Sequence, residues 1–264
     1  MEIKAYVKER KEELKSIMGS LEIKPHLVII QVNEDEGSNA YVRGKIKDLT
    51  FVNMRHTFIK LPLDTKMEDL VSVIEKYNAD EDVDGILVQM PLPKQIDEEE
   101  IKRTISPFKD VDGFHPDSQY APCTPKGILD YLKYCKVDFV GKNALVVGRS
   151  NIVGKPMAKL LLKEHCNVTI VHSRTSQEDL AFYAKHADII VVAVGKKYIF
   201  NLRDLKPTAA LVDVGINRVD GHLYGDCEPD LPVALQTPVP GGVGLLTRLT
   251  LLENLYLCYQ KRRK

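Results

Sequence analysis

The chain has 264 residues, 44% of them apolar and 28% charged, values near the globular average that exclude long-range disorder. Its 37 basic side chains balance 37 acidic ones, which leaves no electrostatic footprint for nucleic acid or an anionic membrane. No apolar run approaches the roughly 18 residues of a membrane span, and Met1-Glu2-Ile3-Lys4 opens no signal-peptide core. The length suits two compact cores. Five scattered cysteines, with no Cys-x-x-Cys clip, suit reduced thiols in the cytoplasm. The histidines form no His-Glu-x-x-His pattern, so no metal site is expected.

Apolar runs alternate with helical patterns along the chain, and this predicts an α/β fold of two domains, each a mostly parallel sheet covered by helices. A charged amphipathic stretch runs from Ala5 to Met18, followed by the strand Leu27 to Ile30. Ser38 is the expected N-cap of the next helix, which ends near Asn53, a residue that tolerates the left-handed conformation. A strand near His56 to Lys60, a helix from Met67 to Tyr77 and a buried strand Gly85 to Val88 follow. Pro91 and Pro93 stop that strand, and a helix from Glu98 to Thr104 leads into a turn at Lys109 to Gly113. A second unit opens near Cys123, where Pro125 starts a helix to about Tyr134. Strands are expected at Ala144 to Val147, Val168 to Val171, Ile189 to Val194 and Leu211 to Val214. A last helix runs from about Val243 to Tyr259. The domain boundary falls near residue 120, giving domains 1–120 and 121–239, with the segment 240–264 folding back to complete the first. The basic end Lys261-Arg262-Arg263-Lys264 reads as a solvated helix terminus.

After Val147 comes Gly148-Arg149-Ser150-Asn151-Ile152-Val153-Gly154-Lys155-Pro156. A loop of this kind is either a plain turn or a phosphate cradle. A strand before it and a helix after it favour the cradle, because free N–H groups and the helix dipole then face a pyrophosphate. Gly148 permits the tight turn and Gly154 close helix–strand packing, while Ser150 stands where the common fingerprint has a second glycine. The next strand ends in His172-Ser173-Arg174, without the acid that bonds an NAD ribose. Ser173, Arg174 and Arg149 instead suit a 2′-phosphate, so NADP is the expected cofactor and the second domain is Rossmann-like. Two later strands end in glycine, at Gly195 and at Gly215-Ile216, where a flat ligand can approach the backbone.

In the first domain, Tyr41 and Lys45 share a helix face, although their spacing is expected about once by chance in this composition. Gln89 ends an apolar strand, where an unpartnered amide costs roughly 1–3 kcal/mol. It reads either as a strand-end turn residue or as a functional amide. Asp112-Gly113 alone is an ordinary turn.

Taken together these residues resemble a known family. The segments Ser38 to Lys45, Asp84 to Pro93, Lys109 to Pro116, Pro122 to Gly127, Gly148 to Pro156 and Thr237 to Gly244 are similar, in order, to the signatures of the methylenetetrahydrofolate dehydrogenase/cyclohydrolase family. The resemblance runs from about residue 25 to the C-terminus. It implies an enzyme of one-carbon metabolism that serves purine biosynthesis. That enzyme oxidises 5,10-methylenetetrahydrofolate with NADP and hydrolyses the product to 10-formyltetrahydrofolate. It implies that Lys45 is the catalytic lysine, that Gln89 hydrogen-bonds it, that Tyr41 packs on the folate rings and that Asp112 binds the pterin. Val88 and Met90 would offer backbone groups to the pterin, and Pro240, Gly241 and Gly242 would line the folate site. Gly148, Arg149, Ser150, Val153, Gly154, Ser173, Arg174, Gly195, Gly215 and Ile216 would hold NADP. A homodimer joined through the dinucleotide domains is also implied, with tetrahydrofolate derivatives as the ligands and neither nucleic acid nor membrane as a partner.

Three departures from the family pattern stand out. Asp117 to Ala121 replaces a longer loop, Leu245-Leu246 replaces a usual Pro-Met, and the N-terminal arm is abbreviated. They leave open a dehydrogenase with weak or absent cyclohydrolase activity. A short-chain dehydrogenase also uses Tyr-x-x-x-Lys, but after its dinucleotide turn, whereas here the pair precedes that turn. A shikimate-dehydrogenase-like oxidoreductase shares the two-domain plan but leaves the folate motifs unexplained, and a non-catalytic dinucleotide sensor needs neither Lys45 nor Gln89.

Overall fold

The structure is a computed structural model describing residues 2–263; Met1 of the N-terminal stretch and Lys264 of the basic end lie outside the described residues. Packing divides the chain into two units. One holds residues 8–123 and 248–263, the other residues 2–7 and 124–247. The division falls a few residues after the expected boundary near 120, and residues 240–247 group with the second unit. Residues 2–7 join that unit because the Tyr6 ring meets those of Tyr131 and Tyr134, at 5.6 and 4.6 Å between centroids.

After α1 (Ile3–Ser20), the first unit is built on β1 (His26–Gln31), β2 (Arg55–Lys60) and β3 (Gly85–Gln89). They form a parallel sheet in the order β2-β1-β3. β1 and β3 are buried along their whole length, whereas β2 at the edge is largely open. A fully buried parallel strand reads as a continuous apolar run, as Leu-Val-Ile-Ile and Gly-Ile-Leu-Val do here. The connecting helices are α2 (Glu36–Phe51), α3 (Met67–Ala79) and α4 (Glu98–Thr104). Val28, Ile30, Leu70, Ile74, Ile86 and Ile101 share one core between sheet and helices.

The caps follow the local chemistry, with one correction. The N-cap of α2 is Asp35, not Ser38: the Asp35 carboxylate accepts from Ser38 N at 2.6 Å, which starts the helix three residues earlier. Asn53 does adopt the left-handed conformation after that helix, at φ 62°. Asp97 caps α4, accepting from Glu99 N and Glu100 N.

The second unit holds α5 (Cys123–Tyr134), β4 (Asn143–Val147), α6 (Gly154–Lys163), β5 (Asn167–Val171), α7 (Gln177–His186), β6 (Ile189–Val192) and β7 (Ala210–Asp213). A hairpin of β8 (Asn217–Val219) and β9 (His222–Tyr224) precedes β10 (Leu235–Gln236), and α8 (Val243–Arg262) ends the chain. The five-stranded sheet has the order β10-β7-β6-β4-β5 and every pairing in it is parallel. Alternate residues feed two separate cores. Ala144, Val146, Ile189, Val191, Ala210 and Val212 pack on one face with α5 and α6. Leu145, Val147, Ile190, Val192 and Leu211 pack on the other with Ala184 of α7 and Phe200. This is the period of two expected of a sheet covered on both sides. α7, the hairpin and β10 were not anticipated, because each is short and no strong apolar period marks it.

The chain's basic end is only partly the solvated terminus expected: Lys261 and Arg263 are exposed, but two of its guanidinium groups reach a buried acid. Arg262 and Arg263 each lie 3.4 Å from an oxygen of Asp84, which is fully buried and also accepts from His26 N. A buried carboxylate needs such counter-charge, and that draws the two guanidinium groups inward. The short stretch after Pro116 is closed by its own hydrogen bonds, from Ser118 N to His115 O and from Tyr120 N to Ser118 Oγ. Leu246 is fully buried in α8.

A second buried ionic cluster sits on α2. Asp48 accepts from Lys11 Nζ and from Arg248 Nε, each at 2.6 Å. Gly44, in the middle of α2, leaves room for the Arg248 guanidinium, which a Cβ there would overlap. Asp48→Ala strands the buried Lys11 and the half-buried Arg248 and should cost about 3–5 kcal/mol. The check is the urea midpoint of the variant. A loss below about 1 kcal/mol would show that the cluster behaves as a surface pair.

Candidate functional site

In the first unit, the residues expected from the sequence converge at the carboxyl edge of the sheet. Gln31 and Gln89 end β1 and β3 in register, and ligands of open α/β sheets sit at that edge. α2 springs from the same edge and presents Lys45 inward, where it is buried. Lys45 Nζ donates to Gln89 Oε1 at 3.0 Å. Gln89 Nε2 donates to Met90 O at 2.8 Å, so the amide is pinned with its oxygen toward the lysine. Lys45 Nζ also lies 4.9 Å from the centre of the Tyr41 ring, within cation–π range. The i, i+4 spacing places the two on one face.

Asp112 completes the cluster electrostatically. Burial lowers the Lys45 pKa below the ordinary lysine value, against the pull of Asp112. Burial also raises the Asp112 carboxyl above the usual range, against the pull of Lys45. Both groups are therefore pushed toward their neutral forms. Cys123 borders them, its thiol pushed up by burial and donating to Val111 O at 3.2 Å. An uncharged amine beside a fixed amide oxygen and a carboxyl group can accept, hold and release a proton.

Two amides that the sequence did not single out hold this arrangement. Asn33 donates to Pro91 O at 2.8 Å, and Asn254 donates to Val111 O at 2.9 Å and Ala121 O at 3.3 Å. They fix the backbone beside Met90 and Asp112. Ser38, read first as a cap, turns its hydroxyl to Met90 O. Val88 is buried, and Met90 is half-exposed at the strand end.

The second unit carries the dinucleotide residues. Gly148 follows β4 at φ 121°, where a Cβ would run into Ala193 O, and Gly154 packs against the Gly148 backbone. Both glycines are thus required by close backbone approach. Ser150 Oγ accepts from Val153 N and Gly154 N, each at 3.2 Å, and organises the turn from inside. Arg149, Ser173 and Arg174 are exposed at the ends of β4 and β5, and no acid stands beside them in that turn. The exposed guanidinium groups and the open turn fit a dinucleotide bearing an extra phosphate.

Beyond β6 and β7 lie Gly195, Gly215 and Ile216. Asp226 accepts from Val194 N, Gly195 N, Lys196 N and Asn217 Nδ2 at 2.6 to 2.9 Å. Asp213 accepts from Gly215 N, Asp226 N and Cys227 N, each at 2.9 Å. Burial raises the Asp213 carboxyl. The one sequence signal for this pair is an adjoining glycine for each: a Cβ at Gly215 would overlap the Asp226 carboxylate, and one at Gly225 that of Asp213. Pro240, Gly241 and Gly242 belong to this unit, with Gly241 at φ 93°. Among the described residues no cluster of three His, Cys, Asp or Glu is placed to hold a metal ion.

Comparison with known proteins gives a family match for each of two stretches of the chain. Residues 1–112 match the catalytic domain of tetrahydrofolate dehydrogenase/cyclohydrolase, and residues 122–263 match its NAD(P)-binding domain. The bifunctional protein FolD of Exiguobacterium sibiricum is 46% identical over 244 residues, covering 88% of this chain and 87% of that one. The bifunctional protein FolD of Halalkalibacterium halodurans is 44% identical over 266 residues, covering 95% of each. The crystal structure of the Campylobacter jejuni FolD methylenetetrahydrofolate dehydrogenase/cyclohydrolase superposes with a TM-score of 0.93 at 37% identity, covering 98% of this chain and 97% of that one. That of the Trypanosoma brucei enzyme, complexed with NADP cofactor and inhibitor, gives 0.95 at 31% identity, covering 100% and 98%. The lysine–glutamine pair at one sheet edge, the glycine turn at the other sheet and these matches over nearly the whole length agree: the chain belongs to the tetrahydrofolate dehydrogenase/cyclohydrolase family.

Proposed function

We propose that this protein is an NADP-dependent 5,10-methylenetetrahydrofolate dehydrogenase that also hydrolyses the 5,10-methenyl product to 10-formyltetrahydrofolate. The observation that carries the reading is the buried Lys45 amine held by Gln89 beside Asp112, in a chain that also bears a separate dinucleotide turn. Bound NADP would supply a hydride acceptor for the methylene carbon. Oxidation then needs only alignment from the protein.

Hydrolysis needs proton movement. Water attacks the cationic methenyl carbon and loses one proton; the ring nitrogen takes a proton as its bond to that carbon breaks, and the hydroxyl releases its second proton to solvent as the formyl carbonyl forms. Lys45, neutral at lower pH than an ordinary lysine, takes the first proton and returns it. Gln89 orients the amine without adding charge. Tyr41 offers its ring to the folate ring system. Asp112 receives the pterin, together with the backbone of Val88 and Met90. In the second unit, the turn from Gly148 to Gly154, with Val153, takes the pyrophosphate. Arg149, Ser173 and Arg174 take the 2′-phosphate, and Gly195, Gly215 and Ile216 take the nicotinamide half.

We also assign the protein to the cytoplasm, to the one-carbon supply of purine biosynthesis and to a homodimer joined through its second units. The five cysteines are free, which supports a reducing compartment. No helix among the described residues is long and apolar enough to cross a membrane. β5 leaves one edge unpaired, with Ile170 exposed on it and Phe182 and Tyr183 exposed on α7. An open edge with apolar neighbours suits pairing with a second copy.

Purified protein should reduce NADP in the presence of methylenetetrahydrofolate. No absorbance change with NADP or NAD would overturn the reading. Arg149→Ala should weaken NADP by roughly 1–3 kcal/mol, the worth of a charged hydrogen bond, and leave NAD use unchanged. Equal use of both cofactors by the unsubstituted protein would refute the phosphate assignment.

Lys45→Met keeps the stem and removes the amine. Cyclohydrolase activity should fall by about 10²- to 10⁴-fold and dehydrogenase activity by less. The measurements are methenyl formation from methylenetetrahydrofolate and decay of supplied methenyltetrahydrofolate. An intact hydrolysis rate would remove Lys45 as the base, and an equal fall in both would make it a substrate-positioning residue.

The direction of the Lys45 shift also sets a pH dependence. Burial favours the neutral amine, so the base form is present below the ordinary lysine value of 10.5. Cyclohydrolase rate should rise with pH and level off below that value. A rate still climbing through 10.5 would mean that the amine is not the titrating base.

A further inference from the structure

Strands β6 and β7 end at Val192 and Asp213. The segments that follow carry Gly195 and Ile216 but have no regular structure that would hold them. They are held by one buried carboxylate. Asp226 is fully buried and accepts three consecutive main-chain N–H groups, from Val194, Gly195 and Lys196, and also the Asn217 amide. Its own N–H and carbonyl are tied, to Asp213 Oδ1 and from Phe200 N. One side chain thus fixes the loop after β6 and the loop after β7 to each other. Gly215 lacks a side chain where the Asp226 carboxylate sits. Gly195 is different: nothing lies near the place where its Cβ would be, so its outer face is open.

The position of these loops in the sheet gives the carboxylate its meaning. β4 lies between β5 and β6, and a dinucleotide crosses such a sheet at the first strand, one half on each side. Arg149 and the Ser173–Arg174 turn mark the β5 side as the adenosine side. The loops after β6 and β7 therefore underlie the nicotinamide half, and Ala193, the first residue beyond β6, touches Gly148 of the phosphate turn. Four donors converging on one buried carboxylate are charge-assisted hydrogen bonds, stronger than neutral ones.

We propose that Asp226 is a positioning residue for hydride transfer: it sets the two loops that hold the nicotinamide half of NADP and touches neither substrate nor cofactor. The inference deepens the dehydrogenase reading and rests on it. Its signature is a split between activities, because hydrolysis of methenyltetrahydrofolate uses no dinucleotide.

The test is Asp226→Asn, which keeps the shape but turns an N–H donor toward N–H donors. Asn217→Ala, which removes one donor and keeps the carboxylate, is the second variant. Each is measured for NADP affinity, for affinity toward 2′,5′-ADP (the adenosine half alone), and for both activities. Asp226→Asn should weaken NADP and lower the dehydrogenase kcat by about 10- to 100-fold, as expected for lost charged hydrogen bonds. Its 2′,5′-ADP affinity and cyclohydrolase rate should stay within about threefold of the unsubstituted protein. Asn217→Ala should move the same two quantities in the same direction by less, and it carries the test if Asp226→Asn does not fold. A parallel fall in 2′,5′-ADP affinity would mean a general structural role and overturn the proposal, as would unchanged dehydrogenase kinetics in either folded variant. An unsubstituted protein that binds 2′,5′-ADP but gives no dehydrogenase activity would overturn the underlying reading, and the inference with it.

Discussion

The first unit is organised around an amine buried without a carboxylate in direct hydrogen bond. Taking a lysine from water is costly unless it is paired or sheds its proton. Here the direct partner is an amide oxygen, and Asp112, the acid that attracts the amine, is itself pushed toward its neutral form. The cluster therefore holds little fixed charge. A cationic ligand arriving beside it would lower Lys45 further and stabilise Asp112 as an anion, which reinforces both proposed roles at once. Much of the surrounding structure serves to keep that arrangement in place. Parallel pairing sets Gln89 at the strand end, the Asp35 cap starts α2 where Lys45 points inward, and Asn33 and Asn254 secure the loops on either side.

The second unit meets a different problem. Its chemistry belongs to a cofactor, so the fold has to hold loops open at one end of the sheet while satisfying their backbone donors. Beside the phosphate turn, Ser150 meets this need with a hydroxyl. Beyond β6 and β7, Asp213 and Asp226 meet it with carboxylates. Acceptors rather than donors are needed because strand ends that bend away from the sheet leave N–H groups unpaired.

Much of this was legible in the sequence, for physical reasons that differ from element to element. β1, β3, β4 and β6 are apolar runs because both of their faces are covered. α4 was legible over its full length because Asp97 and three acids mark its start. Helical spacing puts Tyr41 and Lys45 on one face, whereas the approach of Gln89 to Lys45 was implied only by the family resemblance. The start of α2 was read three residues late, because Ser38 and Asp35 are both good caps and only the folded backbone chooses between them. That Arg262 and Arg263 reach Asp84 is not legible in the sequence, because the acid is distant along the chain. Asp226 was not visible either: an acid after a glycine looks like any turn, and its four donors come from two loops that only the fold brings together.

The alternation in β4, β6 and β7 has an evolutionary consequence. Ala144 and Leu145 are neighbours in the chain but lie in different cores, whereas Ala144 and Val146 share one. Changes at adjacent positions should therefore be nearly independent in their effect on stability, and changes two apart should be coupled. Each face of this sheet can drift through its own series of compensating substitutions while the other stays as it was. A single strand would then record two separate histories, interleaved residue by residue.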